Sequence, residues 1–180
     1  MYAQDGFYYS LFAANAKNGP QGVCVMRTQT LGDPTSWRAW DGTGFNLQMT
    51  DPYTGPPPAM CAQVAPGVAE PTLTYNSYLG KYMMVASAVV GNSCGAGYSL
   101  SSDLTHWTDF QIMRSAYFTC APCLPPAGSN VTTYFSIINQ SDSTPNFEMA
   151  GQKPYLYYTR FNDLDLNRDL VRVPVVITSP

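Results

Sequence analysis

One local pattern occurs three times in this chain and limits its fold more than any other feature. "QDGFYYSLF" (4–12), "YLGKYMMVA" (78–86) and "MAGQKPYLYYT" (149–159) each set a glycine before a run rich in aromatic residues. The three glycines, Gly6, Gly80 and Gly151, are 74 and 71 residues apart. β-Branched and aromatic residues bounded by Gly, Pro, Asn and Asp favour pleated, half-buried strands. The spacing therefore predicts a repeated antiparallel hairpin rather than three unrelated strands. Extending each copy predicts strands over 7–14, 22–28 and 36–40, then over 71–76, 81–88, 95–102 and 106–110, and finally over 132–138, 154–161 and 169–177. A small sheet of this kind cannot cover both of its faces, so copies must stack on one another. The expected fold is all-β: a partial β-propeller of about three four-stranded antiparallel blades. One domain over 1–180 is expected, with blades near 1–50, 66–113 and 129–178. The competing architecture is a β-sandwich whose strands resemble one another by chance.

Composition agrees with the all-β reading. Charged residues make up only 12 %, about half the usual share, and 14 Gly with 15 Pro leave long helices little room. With a net charge of −3 and no Lys/Arg cluster, the chain has no means of neutralising a phosphate backbone, so no nucleic-acid partner is expected. The longest apolar run, 82–90, is too short to span a bilayer as a helix, and no membrane partner is expected. Five cysteines and two sequons, at Asn130 and Asn139, favour an oxidising, secreted setting. No signal peptide is visible. Together with the odd cysteine count, this reads as loss of an N-terminal portion, making the chain a fragment. "CAPC" (120–123) sits among prolines, and bridging within the motif, or to Cys94 or Cys61, is a better expectation than redox or zinc chemistry. His106, the single histidine, supports neither a metal site nor a catalytic dyad. No cofactor or metal is expected.

"YSLSSDLTHW" (98–107) resembles the outer hairpin of the five-bladed propeller glycoside hydrolases of the arabinanase, xylosidase and fructosidase type. "GVCVMRTQTLGDPTSWRAWDGTGF" (22–45) and "KPYLYYTRFNDLDLNRDLVRVPVVI" (153–177) are similar to an earlier and a final blade of related secreted proteins. The resemblance implies a secreted carbohydrate-active protein whose partner is an oligo- or polysaccharide. It also implies that a glutamate ahead of a middle-blade inner strand is the general acid. Glu70 stands in that position, and the second carboxylate would come from a first blade that this chain does not contain. The sequence therefore lacks a complete catalytic pair, and a non-catalytic carbohydrate-binding or protein-interaction propeller is the alternative.

In a propeller, residues before the inner strands and after the second strands converge on one end. Those positions nominate Glu70, with Thr132, Thr133 and Tyr134 at the equivalent point of the last copy. Arg160 and Asn162 return to the same end, as do Ser87 and Asn15. Glu70 is the candidate catalytic residue, or else a loop carboxylate. Tyr134, Arg160 and Asn162 are candidate substrate-binding residues: a ring to stack on a sugar, a guanidinium fork and an amide. The alternatives are core packing for Tyr134, an inter-blade ion pair with Asp163 or Asp169 for Arg160, and a turn cap for Asn162. Trp37 and Trp107 are expected to pack between blades. Asp33, Asp41, Asp51, Asp103 and Asp109 fall in outer turns, where the carboxylate serves the backbone. Asp142 and Glu148 have no evident partner.

Overall fold

The computed structural model describes residues 1–15, 21–51, 53–56, 59–119, 121–162 and 167–179. Among them the regular structure is almost entirely strand, with one short helical turn at Pro34–Ser36. The chain forms two compact units, Met1–Gly67 and Val68–Pro180.

The first unit is built on the hairpin of β1 (Tyr8–Asn15) and β2 (Gln21–Thr28), paired from Tyr8↔Thr28 to Asn15↔Gln21. Two-residue strands β3 (Arg38–Ala39) and β4 (Leu47–Gln48) extend the sheet beyond β2. A further short strand, β5 (Ala65–Pro66), pairs with Gly22 and Val23. Gly22 is needed there, because a Cβ would sit 2.9 Å from the Ala65 carbonyl oxygen. Gly6, at φ 83°, turns the N-terminal residues back so that Tyr2 bridges Tyr8. Val23, Cys24 and Val25 have no exposed surface, and the Cys24–Cys61 disulfide ties β2 to the proline-rich connection.

In the second unit, β6 (Ala69–Asn76), β7 (Lys81–Val90), β8 (Ser93–Ser101) and β9 (Gln111–Ser115) form an antiparallel meander. Gly80, at φ 63°, makes the β6–β7 turn. A second sheet runs β10 (Val131–Ile138), β12 (Tyr155–Phe161), β13 (Arg168–Pro174). The two sheets face each other across one core, in which Met83, Val85 and Ala96 meet Phe135, Ile137, Leu156 and Tyr158. The period-2 alternation of β10 and β12 puts those residues on one face. β13 alternates exposed and half-buried positions, with Arg168, Arg172 and Pro174 outward, the composition of a protected edge. Cys94–Cys123 pins the loop after β9 to the start of β8; Cys120 lies outside the described residues.

Two expectations fail. Residues 106–110 are not a strand: Trp107 makes a lone bridge to Ser101, and the outer strand follows at β9. The reason is the preceding turn, where Asp103 and Ser101 capture the backbone N–H groups of residues 103–106. Gly151 does not turn a hairpin. It follows β11 (Met149–Ala150), which pairs in parallel with Tyr75 and Asn76 and so covers the free edge of β6. The buried Asn76 side chain fixes that joint, donating to Gly151 O and accepting from Leu79 N. Trp37 and Trp107 are half-buried, and the indole of Trp107 donates to Leu104 O within its own turn. It is Leu104, at 1 % exposure, that goes inside.

Candidate functional site

β6 and β10, the first strands of the two sheets in the second unit, share an uncommon feature. Glu70 has φ 56° and Tyr134 has φ 58°. Both are in the left-handed region, which costs a residue bearing a Cβ roughly 1–2 kcal/mol. Each falls at an irregularity of pairing: the register of β6 on β7 shifts between Ala69 and Thr72, and that of β10 on β12 between Thr133 and Ser136. A bulge at this point re-aims the side chain and interrupts the pairing locally.

The two irregularities are joined. Glu70 Oε2 accepts a hydrogen bond from Ser87 Oγ at 2.9 Å and another from Tyr134 N at 3.2 Å. Two residues beyond Glu70, the Thr72 hydroxyl donates to Phe135 O at 3.1 Å, a second tie between the strands. Both donors to Glu70 fall on Oε2, so Oε1 has no partner among the described residues. Glu70 is half-buried and Tyr134 is 52 % exposed. The Tyr134 ring lies 6.5 Å from that of Phe161, and the Arg168 guanidinium sits 4.5 Å over the Phe161 face. Beside them, Thr133 Oγ1 is buried with no hydrogen-bond partner among the described residues.

Arg160 and Asn162 are tied elsewhere. Arg160 Nη2 donates to Asp169 Oδ2 at 2.7 Å, and Asn162 Nδ2 donates to the same oxygen at 3.1 Å. Asp169 faces Arg160 in the register of β13 on β12, so the ion pair lies within one sheet. The two donors hold the Asp169 carboxyl below its ordinary value, Arg160 contributing most. Asn162 N also donates to Asn167 O across the hairpin. Asp163 lies outside the described residues. Asn15 ends β1 in the other unit.

The sequence places Glu70 just ahead of an inner strand, whereas it is the second residue of β6; its bond to Ser87 and the matching backbone of Tyr134 are not legible there. Register shifts leave no trace in composition; the one sequence signal was that Glu70 and Tyr134 occupy corresponding places in the repeat. Asp142 and Glu148 both have partners, the Glu148 carboxylate accepting from Asn146 Nδ2 at 3.4 Å. Asp142 accepts from Thr144 and from Met149 N, while the Glu148 carbonyl accepts from Tyr75 N and the Thr74 hydroxyl.

The crystal structure of an endo-arabinase from Bacteroides thetaiotaomicron VPI-5482 is similar to this chain, with a TM-score of 0.59 and 12 % identity. The match covers 97 % of this chain and 54 % of the other, so the chain spans about half the length of that structure. At this identity the likeness is one of fold. No family model and no curated protein matches the sequence.

Proposed function

We propose that the chain is part of a carbohydrate-active β-propeller of the glycosidase type, with its sheets as blades near 1–50, 66–113 and 129–178. We further propose that it binds a glycan at the rim where Glu70 and Tyr134 emerge. The fold shared with an endo-arabinase supports the class. The observation that carries the site is the pair of left-handed residues at corresponding points of two successive first strands. One bears a carboxylate with a free oxygen, the other an exposed ring. Strained backbone that neighbouring structure holds in place is a recurrent property of binding and catalytic positions.

In this reading Oε1 of Glu70 accepts a hydrogen bond from a sugar hydroxyl, and the Tyr134 ring takes the apolar face of the sugar. Ser87 positions the carboxylate. Hydrolysis requires a second carboxyl group across the scissile bond, with Glu70 then giving its proton to the leaving oxygen. Asp169, an acid on β13 of the neighbouring sheet, is already engaged by Arg160 and Asn162, which favours binding over turnover for the residues present. Two disulfides fit an oxidising, extracellular location. Among the described residues no helix is long and apolar enough to cross a membrane.

The test is calorimetric titration with a panel of neutral oligosaccharides, arabino-oligosaccharides included, alongside an assay for released reducing ends. Glu70→Gln and Tyr134→Ala are each expected to weaken binding about tenfold or more, and Glu70→Gln to abolish any turnover. Unchanged affinity in both variants would remove the rim from the site.

A further inference from the structure

A concavity in the same unit lies between the edge strand β9, the start of β8 and the loop leading into β10. Its volume is about 420 Å³, within the roughly 300–1,000 Å³ usual for small-ligand sites. Asn92, Ser93, Arg114, Ser115, Asn130 and Thr132 supply its polar wall. No carboxylate lines it, and among the described residues Arg114 has no acidic partner. Its guanidinium is held instead by the Tyr158 ring, 5.2 Å from the centroid. That contact orients the cation and leaves its hydrogen-bonding edge uncompensated. Gly95 makes the placement possible, since a Cβ there would collide with the Arg114 carbonyl. The Cys94–Cys123 disulfide closes one side of the cleft.

The concavity adjoins the rim. Thr132, whose N–H donates to Tyr117 O at 3.1 Å, is two residues before Tyr134 on β10, about 7 Å along a strand. A chain of sugars lying on Tyr134 would have this cleft as its neighbour, two residues back along β10.

We infer that this cleft is a subsite for an anionic sugar, with Arg114 taking the carboxylate of a hexuronate residue and the surrounding amides and hydroxyls taking its ring hydroxyls. The inference rests on the glycan reading of the rim and goes beyond it in naming the substrate class. A planar guanidinium pairs with a carboxylate through two parallel hydrogen bonds. A net negative chain that keeps an isolated cation in a carboxylate-free cleft sets a local field opposite to its overall charge.

The full chain, made in a host that does not attach glycan to Asn130, would be titrated with a hexuronic acid oligomer, its carboxyl-reduced neutral counterpart and a sulfated neutral oligomer. The hexuronate should bind about tenfold tighter than the neutral form, and the difference should shrink with added salt. Arg114→Gln should erase the difference between the charged and neutral oligomers, and Arg114→Lys should retain part of it. Asn92→Ala should weaken the hexuronate further, with an unaltered melting curve in every variant. Equal affinity for charged and neutral forms would overturn the subsite while leaving the rim intact. Preference for the sulfated oligomer would overturn the carboxylate assignment. Binding of none of the three would overturn the subsite together with the glycan reading.

Discussion

At Leu104 the backbone turns left-handed, φ 69°, in the loop between β8 and β9, and the side chain is buried to 1 % exposure. At Tyr134 it does the same, φ 58°, with the ring 52 % exposed. Both conformations carry a steric penalty, and the surroundings offset it differently. Ser101 Oγ accepts from the N–H groups of Asp103 and Leu104, Asp103 accepts from Thr105 and His106, and the Leu104 side chain leaves water. Everything that compensates the turn lies within a few residues of it. Tyr134 is held from 64 residues away, by its N–H on Glu70, which is itself left-handed. Strain that is repaid locally belongs to the fold. Strain that is maintained from a distance, in a residue that remains exposed, is the feature on which the proposed site rests.

The largest consequence concerns Leu104. Truncating it to alanine keeps the unfavourable backbone and discards the burial that offsets it, so a loss of about 3 kcal/mol is expected, measured by chemical denaturation. A loss below about 1 kcal/mol would mean that the turn does not depend on the buried side chain, and the contrast with Tyr134 would fail.

Tyr134→Gly should act in the opposite direction. Glycine adopts φ 58° without penalty, and little buried surface is lost, so stability should stay level or rise by up to about 1 kcal/mol. Glycan affinity should fall about tenfold. A marked loss of stability would show that the ring is a packing residue. That outcome would move Tyr134 to the same side of the comparison as Leu104.

This distinction also accounts for what the sequence could reveal. The strands of 8–15, 21–28, 81–90 and 155–161 follow from local composition. So does the service of Asp33, Asp41, Asp51 and Asp103 to their own turns, because each bonds partners two to five residues away. The joint of β11 with β6 was not legible, since it depends on residues 149–150 meeting 75–76. The Glu70–Ser87–Tyr134 contacts are likewise long-range, and Glu70 was singled out through resemblance and position. The engagement of Arg160 and Asn162 by Asp169 was open in the sequence because two acids, at 163 and 169, stood within reach.

Acid should act on the locally compensated region. Burial of the Asp103 carboxyl raises its pKa, but hydrogen bonds from His106 and Thr105 outweigh this and hold it below its ordinary value. Asp41 is held low by Asn46 and Thr43, and Asp33 by Thr35. A carboxylate whose folded pKa lies below its unfolded one stabilises the fold fully above the ordinary aspartate range. That contribution is lost as pH falls through and below about 3.9 toward the folded value. The melting temperature should therefore decline below about pH 4, and Asp103→Asn should flatten the decline. The same slope in the variant would mean that the turn carboxylate is not what acid removes.

Asp169→Asn should have the smallest effect on stability and is the sharpest probe of the rim. The Arg160–Asp169 pair is exposed on both sides, and solvent screening leaves such pairs with little net effect on folding, so the melting temperature should hardly move. What changes is the availability of Arg160 and Asn162, both of which lose their charged acceptor. If these donors reach a bound sugar only when released from Asp169, affinity for a neutral oligosaccharide will rise in the variant. If Asp169 presents them in the orientation the sugar requires, affinity will fall, and Arg160→Lys will weaken it further by removing the planar fork. Affinity that does not move in either variant would confine the site to Glu70 and Tyr134, placing Arg160 and Asn162 with Leu104 among the groups that act only on their own neighbourhood.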